Sequence, residues 1–282
     1  MPNPDHCNEQ HGWPSAGVPS FIPLQLSVRE RIARFFRDLL ESRAVRFAIF
    51  DVETRIDKAL VKAVFHRHED IGEEEAFQRT REQIVGRSRS GSDFFPVAFH
   101  VPVAIVIGDA GDDRVLTSVA AVAPGGDEKA LVCAFWDRLE QFRGTLVSFN
   151  GRGFDLPVLE LAALRHGCAI PHYFRAGFRY RYSDEAHYDM YDFLTNTGMY
   201  SVRGGFHLLA NLIGLPGKGD VDGADVQGLW EAGRLAEIQA YCRRDVVQSY
   251  FLFLRMELIR GRISPEQYEA ALTATAAFRA EL

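Results

Sequence analysis

At 282 residues, with 47% hydrophobic and 25% charged side chains, the chain has an ordinary globular composition and enough length for one sizeable core, which excludes a largely disordered or collagen-like protein. Its formal net charge of −6 gives no global attraction for a polyanion, so any nucleic-acid binding must rest on local charge. No apolar run reaches the ~18 residues of a membrane-spanning helix, and the four cysteines show no CxxC pairing, which argues against a zinc knuckle or a disulfide framework.

Residues 1–25 lack the basic start and apolar stretch of a secretory signal and read as a flexible leader, consistent with a cytoplasmic location and no membrane partner. Residues 26–44 follow with apolar positions at helical spacing and arginines on the other face, predicting an N-terminal helix. Val45 to Val52 is a β-branched and aromatic run that ends in acids, as a buried strand does on reaching solvent. A charged stretch over about 69–96 reads as an insertion, helical at first and then a Gly/Ser/Arg loop. His66 and His68, just before it, alternate at strand spacing and read as an exposed polar face rather than as ligands.

Two β-rich runs, FHVPVAIVIGD and DRVLTSVAAV, flank a DAGDD turn and predict an antiparallel pair. Helix, strand and helix come next in EKALVCAFWDRLEQF, GTLVSFN and FDLPVLELAALRHG, the last closed by Gly167. Beyond Tyr188 the pattern is mostly helical, with a Gly-rich GLPGKGDVDG loop and a long helix from about Arg234 to Ile259. The order predicts an α/β fold with a mixed β-sheet flanked by helices, compatible with a ribonuclease-H-like domain over residues 45–282.

Three acidic segments stand out. On the first strand, Phe47, Ile49, Asp51 and Glu53 share one face, so two acids continue an apolar surface. Side chains at i and i+2 lie ~6–7 Å apart, close enough for one divalent ion to take oxygen from both, although a DxE at a strand end is also an ordinary solvated terminus. On the long helix, Leu235, Ile238, Cys242, Asp245, Ser249 and Leu252 form the inward stripe, and Tyr241 lies one turn before Asp245. A carboxylate in that stripe needs an ion, a basic partner or an opening to solvent. In SFNGRGFDLP, Asp155 sits beside a helix start, where a capping role serves as well as a ligand role.

Taken together, FDVET, FNGRGFDLP and YCRRD resemble the three ordered motifs of the DEDD superfamily of 3′-to-5′ exonucleases. Tyr241, four residues before the last aspartate, is similar to its DEDDy branch, and the wording resembles stand-alone polymerase-B-like 3′-5′ exonucleases. The resemblance runs from about Arg46 to Ile263. It implies a ribonuclease-H-like fold and two divalent ions, Mg²⁺ or Mn²⁺, held by Asp51, Glu53, Asp155 and Asp245. Asp51 would bridge the ions, Glu53 and Asp245 would complete one shell, Asp155 would hold the other ion, and Tyr241 would orient the attacking water.

Oxygen-only ligands favour Mg²⁺ or Mn²⁺ over zinc, and two ions suit phosphodiester hydrolysis because charge develops on both attacking and leaving oxygens. Asn150, Arg152, Phe154 and Lys218 are candidate substrate contacts for sugar, phosphate and base, each with an alternative in turn, packing or solvated-loop roles. Asp189 and Asp192 read first as helix caps. Arg79, Arg81, Arg87 and Arg89 read first as a solvated helix and loop.

The substrate expected is nucleic acid, single-stranded or frayed DNA first and RNA second, with a separate polymerase or repair factor as a further partner. Two alternatives remain at this level: a non-catalytic nucleic-acid-binding module and a phosphodiesterase for RNA or dinucleotides.

Overall fold

The computed structural model describes residues 45–216 and 226–282. The leader, the helix expected over residues 26–44, Lys218 and most of the Gly-rich loop lie outside the described residues.

The first strand, β1 (Phe47–Ile56), extends four residues past the expected end at Val52. It pairs antiparallel with β2 (His100–Ala110), which pairs antiparallel with β3 (Leu116–Ala121). On its other side β1 runs parallel to β4 (Thr145–Ser148), which is parallel to β5 (His187–Asp189). The order β3-β2-β1-β4-β5 makes β1 the central strand. The sequence pattern does not announce β5: three buried residues are too short for a period of two to register.

The pleat of β1 divides the core. Phe47 and Ile49 pack with the long helix, whereas Ala48, Phe50 and Val52 face the opposite layer. That opposite layer contains α3 (Glu128–Gln141) and α4 (Asp155–His166). A β-bulge interrupts the β1–β2 register between Glu53 and Thr54, where Thr54 comes opposite Pro102. Proline offers no N–H to the ladder, so the pairing shifts there and re-aims the chain just beyond the second acid.

The β1–β2 connection is a helix pair with its own small core. α1 (Lys58–Phe65) and α2 (Glu73–Arg87) bury Val61 and Phe77 against Phe95 and Phe99. The insertion therefore begins before residue 69. His66 ends α1 rather than alternating along a strand, and it is buried with ring nitrogens near Glu69 (2.6 Å) and Thr80 (3.0 Å). The exposed polar strand face expected there is thus corrected. Arg79 pairs with Glu69 and Glu75, and Arg81 with Asp93, the interleaved acids using up much of the positive charge.

Among the described residues, four short helices lie between α4 and the long helix: α5 (Pro171–Arg175), α6 (Met190–Leu194), α7 (Gly205–Leu212) and α8 (Val226–Glu231). The long helix is α9 (Leu235–Ile259), matching its predicted span within one residue, and α10 (Pro265–Ala274) and α11 (Ala276–Arg279) follow it. Residues 246–254 of α9 are buried on every side rather than along one stripe. The helix is covered by β1, β2 and β3 on one side and by α7, α8 and α10 on others, and a helix enclosed in this way needs no polar face.

Candidate active site

The odd-numbered face of β1 passes from Phe47 and Ile49 in the core to Asp51 and Glu53 at a cleft. Four carboxylates line that cleft, Asp51, Glu53, Asp155 and Asp245, together with Phe94, Phe149, Asn150 and Phe154. Its volume is about 300 Å³. Strand, loop and helix each contribute, so three segments distant in sequence meet at one end of the sheet.

The loop after β4 places Asp155. Asn150 takes a left-handed backbone (φ 65°), and a side chain at Gly151 would put its Cβ 2.3 Å from Ser148 Oγ. Asp189 ties the turn down by accepting from the Asn150 amide (2.9 Å) and the Arg152 amide (2.8 Å) while also capping α6. Asp155 then begins α4 as its first residue. The N-cap is Phe154, without a side-chain cap bond, so the capping role open for Asp155 is not the one it fills. Its carboxylate, 5% exposed, reaches the Val52 amide, and burial followed by the Asp51 charge pushes its pKa well above the usual carboxylate range.

From α9, Tyr241 and Asp245 approach the same acids. The Tyr241 hydroxyl bonds to Asp245, and burial, then the charges of Asp245 and Glu53, hold the phenol's proton on far beyond the ordinary range. Cys242 lies between them in sequence and is fully buried, its thiol 3.4 Å from the Asp51 carbonyl and 3.6 Å from its carboxylate. Ligand-type atoms of Asp51, Glu53 and Cys242 lie within 4.8 Å of one another. The inward stripe contains Cys242 but gives it no chemistry, and only the fold shows how closely it approaches Asp51. Burial and the nearby Asp51, Glu53 and Asp245 push this thiol well up, so it stays protonated and suits a hydrogen-bond donor better than a thiolate ligand.

A neighbouring cleft of about 540 Å³ shares Val52, Glu53, Phe94 and Phe154 with the carboxylate site. Rings of Phe94, His100 and Phe154 meet there with centroids 4.9–5.3 Å apart. His100 is held between Thr54 Oγ1 (2.7 Å) and the Phe95 carbonyl (3.2 Å), and burial lowers its pKa, keeping it neutral. Phe94 and His100 are not among the sequence candidates, since neither falls in a motif. Arg152 turns its guanidinium toward the carbonyls of Tyr180, Ser183 and His187 and toward Asp192.

A mixed five-stranded sheet in this order, flanked by helices and carrying an acidic cleft at its central strand, defines the ribonuclease-H-like exonuclease class. A model of predicted 3′-5′ exonucleases related to the exonuclease domain of PolB matches residues 92–281. The chain belongs to that family. The matched segment contains Asp155, Tyr241 and Asp245 and begins after β1, which carries Asp51 and Glu53. A comparison with curated proteins finds no match. Membership makes the chain an exonuclease domain with nucleic acid as its substrate.

Proposed function

We propose that residues 45–282 act as a two-metal-ion 3′-to-5′ exonuclease on single-stranded or frayed DNA, releasing nucleoside 5′-monophosphates. The convergence of Asp51, Glu53, Asp155 and Asp245 on one small cleft carries the reading. Burial and then the neighbouring Asp51 charge disfavour ionisation of Asp155, and its pKa is displaced upward accordingly. Divalent cations relieve that repulsion. The donors are hard oxygens and the one nearby sulfur is a protonated thiol, a set that fits Mg²⁺ or Mn²⁺ rather than zinc.

Asp51 would be shared between two ions, with Glu53 and Asp245 on one and Asp155 on the other. Such ions, when bound, neutralise charge developing on the attacking and leaving oxygens. Tyr241 cannot act as a base while burial and the surrounding carboxylates hold its proton. Donating that proton to Asp245, it accepts a hydrogen bond from the attacking water and so aims the water's lone pair at phosphorus. Phe154, with Phe94 and His100, offers the terminal base an aromatic wall, and the Asn150 amide lies at the edge of the same cleft. Arg152 acts as a positioning residue that fixes the loop carrying Asp155.

A 5′-labelled oligonucleotide incubated with Mg²⁺ or Mn²⁺ should yield a ladder of products shortened from the 3′ end, and Asp51→Asn should abolish it. A ladder unchanged in that variant would refute the assignment.

A further inference from the structure

Residues 174–182 read FRAGFRYRY, with arginines interleaved among aromatic rings in a chain whose net charge is −6. Phe174, Tyr180 and Tyr182 are 56%, 58% and 74% exposed, and Arg175, Arg179 and Arg181 are exposed beside them. Large rings turned to solvent gain nothing from burial, so their clustering among cations calls for a ligand that both stacks and carries negative charge. The segment is nevertheless held in place. Phe178 is buried and stacks on Tyr173 at 5.8 Å, and Arg152 grips the carbonyls of Tyr180 (3.4 Å) and Ser183 (3.3 Å).

The same segment connects with the carboxylate site. A cleft of about 490 Å³ runs from Asn150 and Gly153, which also line the carboxylate cleft, to Arg179 and Arg181. On the opposite side, the cleft beside Glu53 has four acids, Glu53, Glu74, Asp93 and Glu231, against Lys58 and Arg81. Lys58 there pairs with both Glu74 and Glu231, and Arg81 with Asp93. On the arginine side Arg179 and Arg181 also pair, with Glu160 and Asp192, but there three arginines, Arg152, Arg179 and Arg181, line the cleft against those two acids. Arg175 beside it has no ion-pair partner among the described residues. The charge balance therefore draws a polyanion to this side rather than to the acid-rich one.

We propose that residues 174–182 form an arm that holds the single strand on the 5′ side of the scissile phosphate. Phosphates lie against Arg175, Arg179 and Arg181, and unstacked bases lie on Tyr180 and Tyr182. Bases inside a duplex have no free faces, so the arm selects single strands. This inference rests on the exonuclease reading above, and its test separates the two.

The full chain is compared with Tyr180→Ala/Tyr182→Ala and with Arg175→Gln/Arg179→Gln on three substrates: the p-nitrophenyl ester of thymidine 5′-monophosphate, a four-nucleotide oligothymidylate and a twenty-nucleotide one. The ester replaces the preceding strand with a small leaving group and cannot reach the arm. The unaltered protein should show a KM that falls with length. Both variants should raise KM for the long oligonucleotide roughly ten- to hundredfold, remove most of the length dependence, and leave the ester's kcat/KM within about twofold. An unchanged KM on the long substrate, or an equal loss on the ester, would overturn the arm. If the unaltered protein hydrolyses none of the three, the exonuclease reading fails. The arm is then decided by fluorescence anisotropy of the long oligonucleotide, where the same weakening supports it and equal binding refutes it.

Discussion

The Tyr241 hydroxyl hydrogen-bonds to the Asp245 carboxylate one helical turn further along α9, within reach of the charges of Glu53 and Asp51. A phenol so placed keeps its proton throughout the working pH range. Tyr241→Phe should therefore lower kcat by about 10- to 100-fold, or ~1.4 to 2.8 kcal/mol, with little change in KM. The shape of the pH–rate profile should be retained. A profile that loses its basic limb in the variant would instead identify Tyr241 as a titrating base.

Asp155 gives a pH-dependent prediction for stability. A carboxyl whose folded pKa exceeds its unfolded value binds a proton more readily when folded. The metal-free protein then loses stability as pH rises from the unfolded value through the folded one. Asp155→Asn removes that loss, so in EDTA the variant should melt a few degrees above the parent at neutral pH and about level with it in acid. Mn²⁺ should raise the melting temperature of the parent and do much less for the variant. Calorimetry with and without the ion measures both effects, and a parent unaffected by Mn²⁺ would contradict them.

Legibility in the sequence differs from residue to residue. The alternation along β1 alone separates the residues that face α9 from those that face α3 and α4, and it puts Asp51 and Glu53 on one side. Asp245 stands out because it interrupts an apolar stripe. Asp155 owes its candidacy to the family resemblance, because an acid beside a helix start has an ordinary explanation that only the Phe154 cap removes. The burial of His66 is hidden because two histidines two apart mimic a strand, while its partner Thr80 is fourteen residues away. Residues 174–182 give no signal at all: arginines spaced by tyrosines form no charge block, and their exposure is a property of the fold.

Cys242 permits a clean test of its role. A buried, protonated thiol near the Asp51 carbonyl is a packing and hydrogen-bonding group, so Cys242→Ser should leave the preference among Mg²⁺, Mn²⁺ and Zn²⁺ unchanged and activity within about threefold. N-ethylmaleimide should not inactivate the native protein through this residue. A shift of metal preference in the serine variant would make the sulfur a ligand.

Gly151 tests the loop that carries Asp155. A Cβ there would press within 2.3 Å of Ser148 Oγ and 2.7 Å of Ser148 Cβ, and Ser148 is fully buried and bonded to His187 at 2.8 Å. Gly151→Ala should cost about 1–3 kcal/mol of stability and reduce kcat at least tenfold at temperatures where the variant remains folded. Urea unfolding alongside single-turnover rates separates the two effects. A variant with full activity would show that Asp155 does not depend on this turn.

The most direct test is a crystal structure of the protein with Mn²⁺ and a nucleoside 5′-monophosphate, read by anomalous scattering. Two Mn²⁺ peaks about 3.5 to 4 Å apart are expected among Asp51, Glu53, Asp155 and Asp245, with the nucleotide phosphate across them. An empty acidic cleft, or a single ion centred on Cys242 with the nucleotide elsewhere, would contradict the two-metal site.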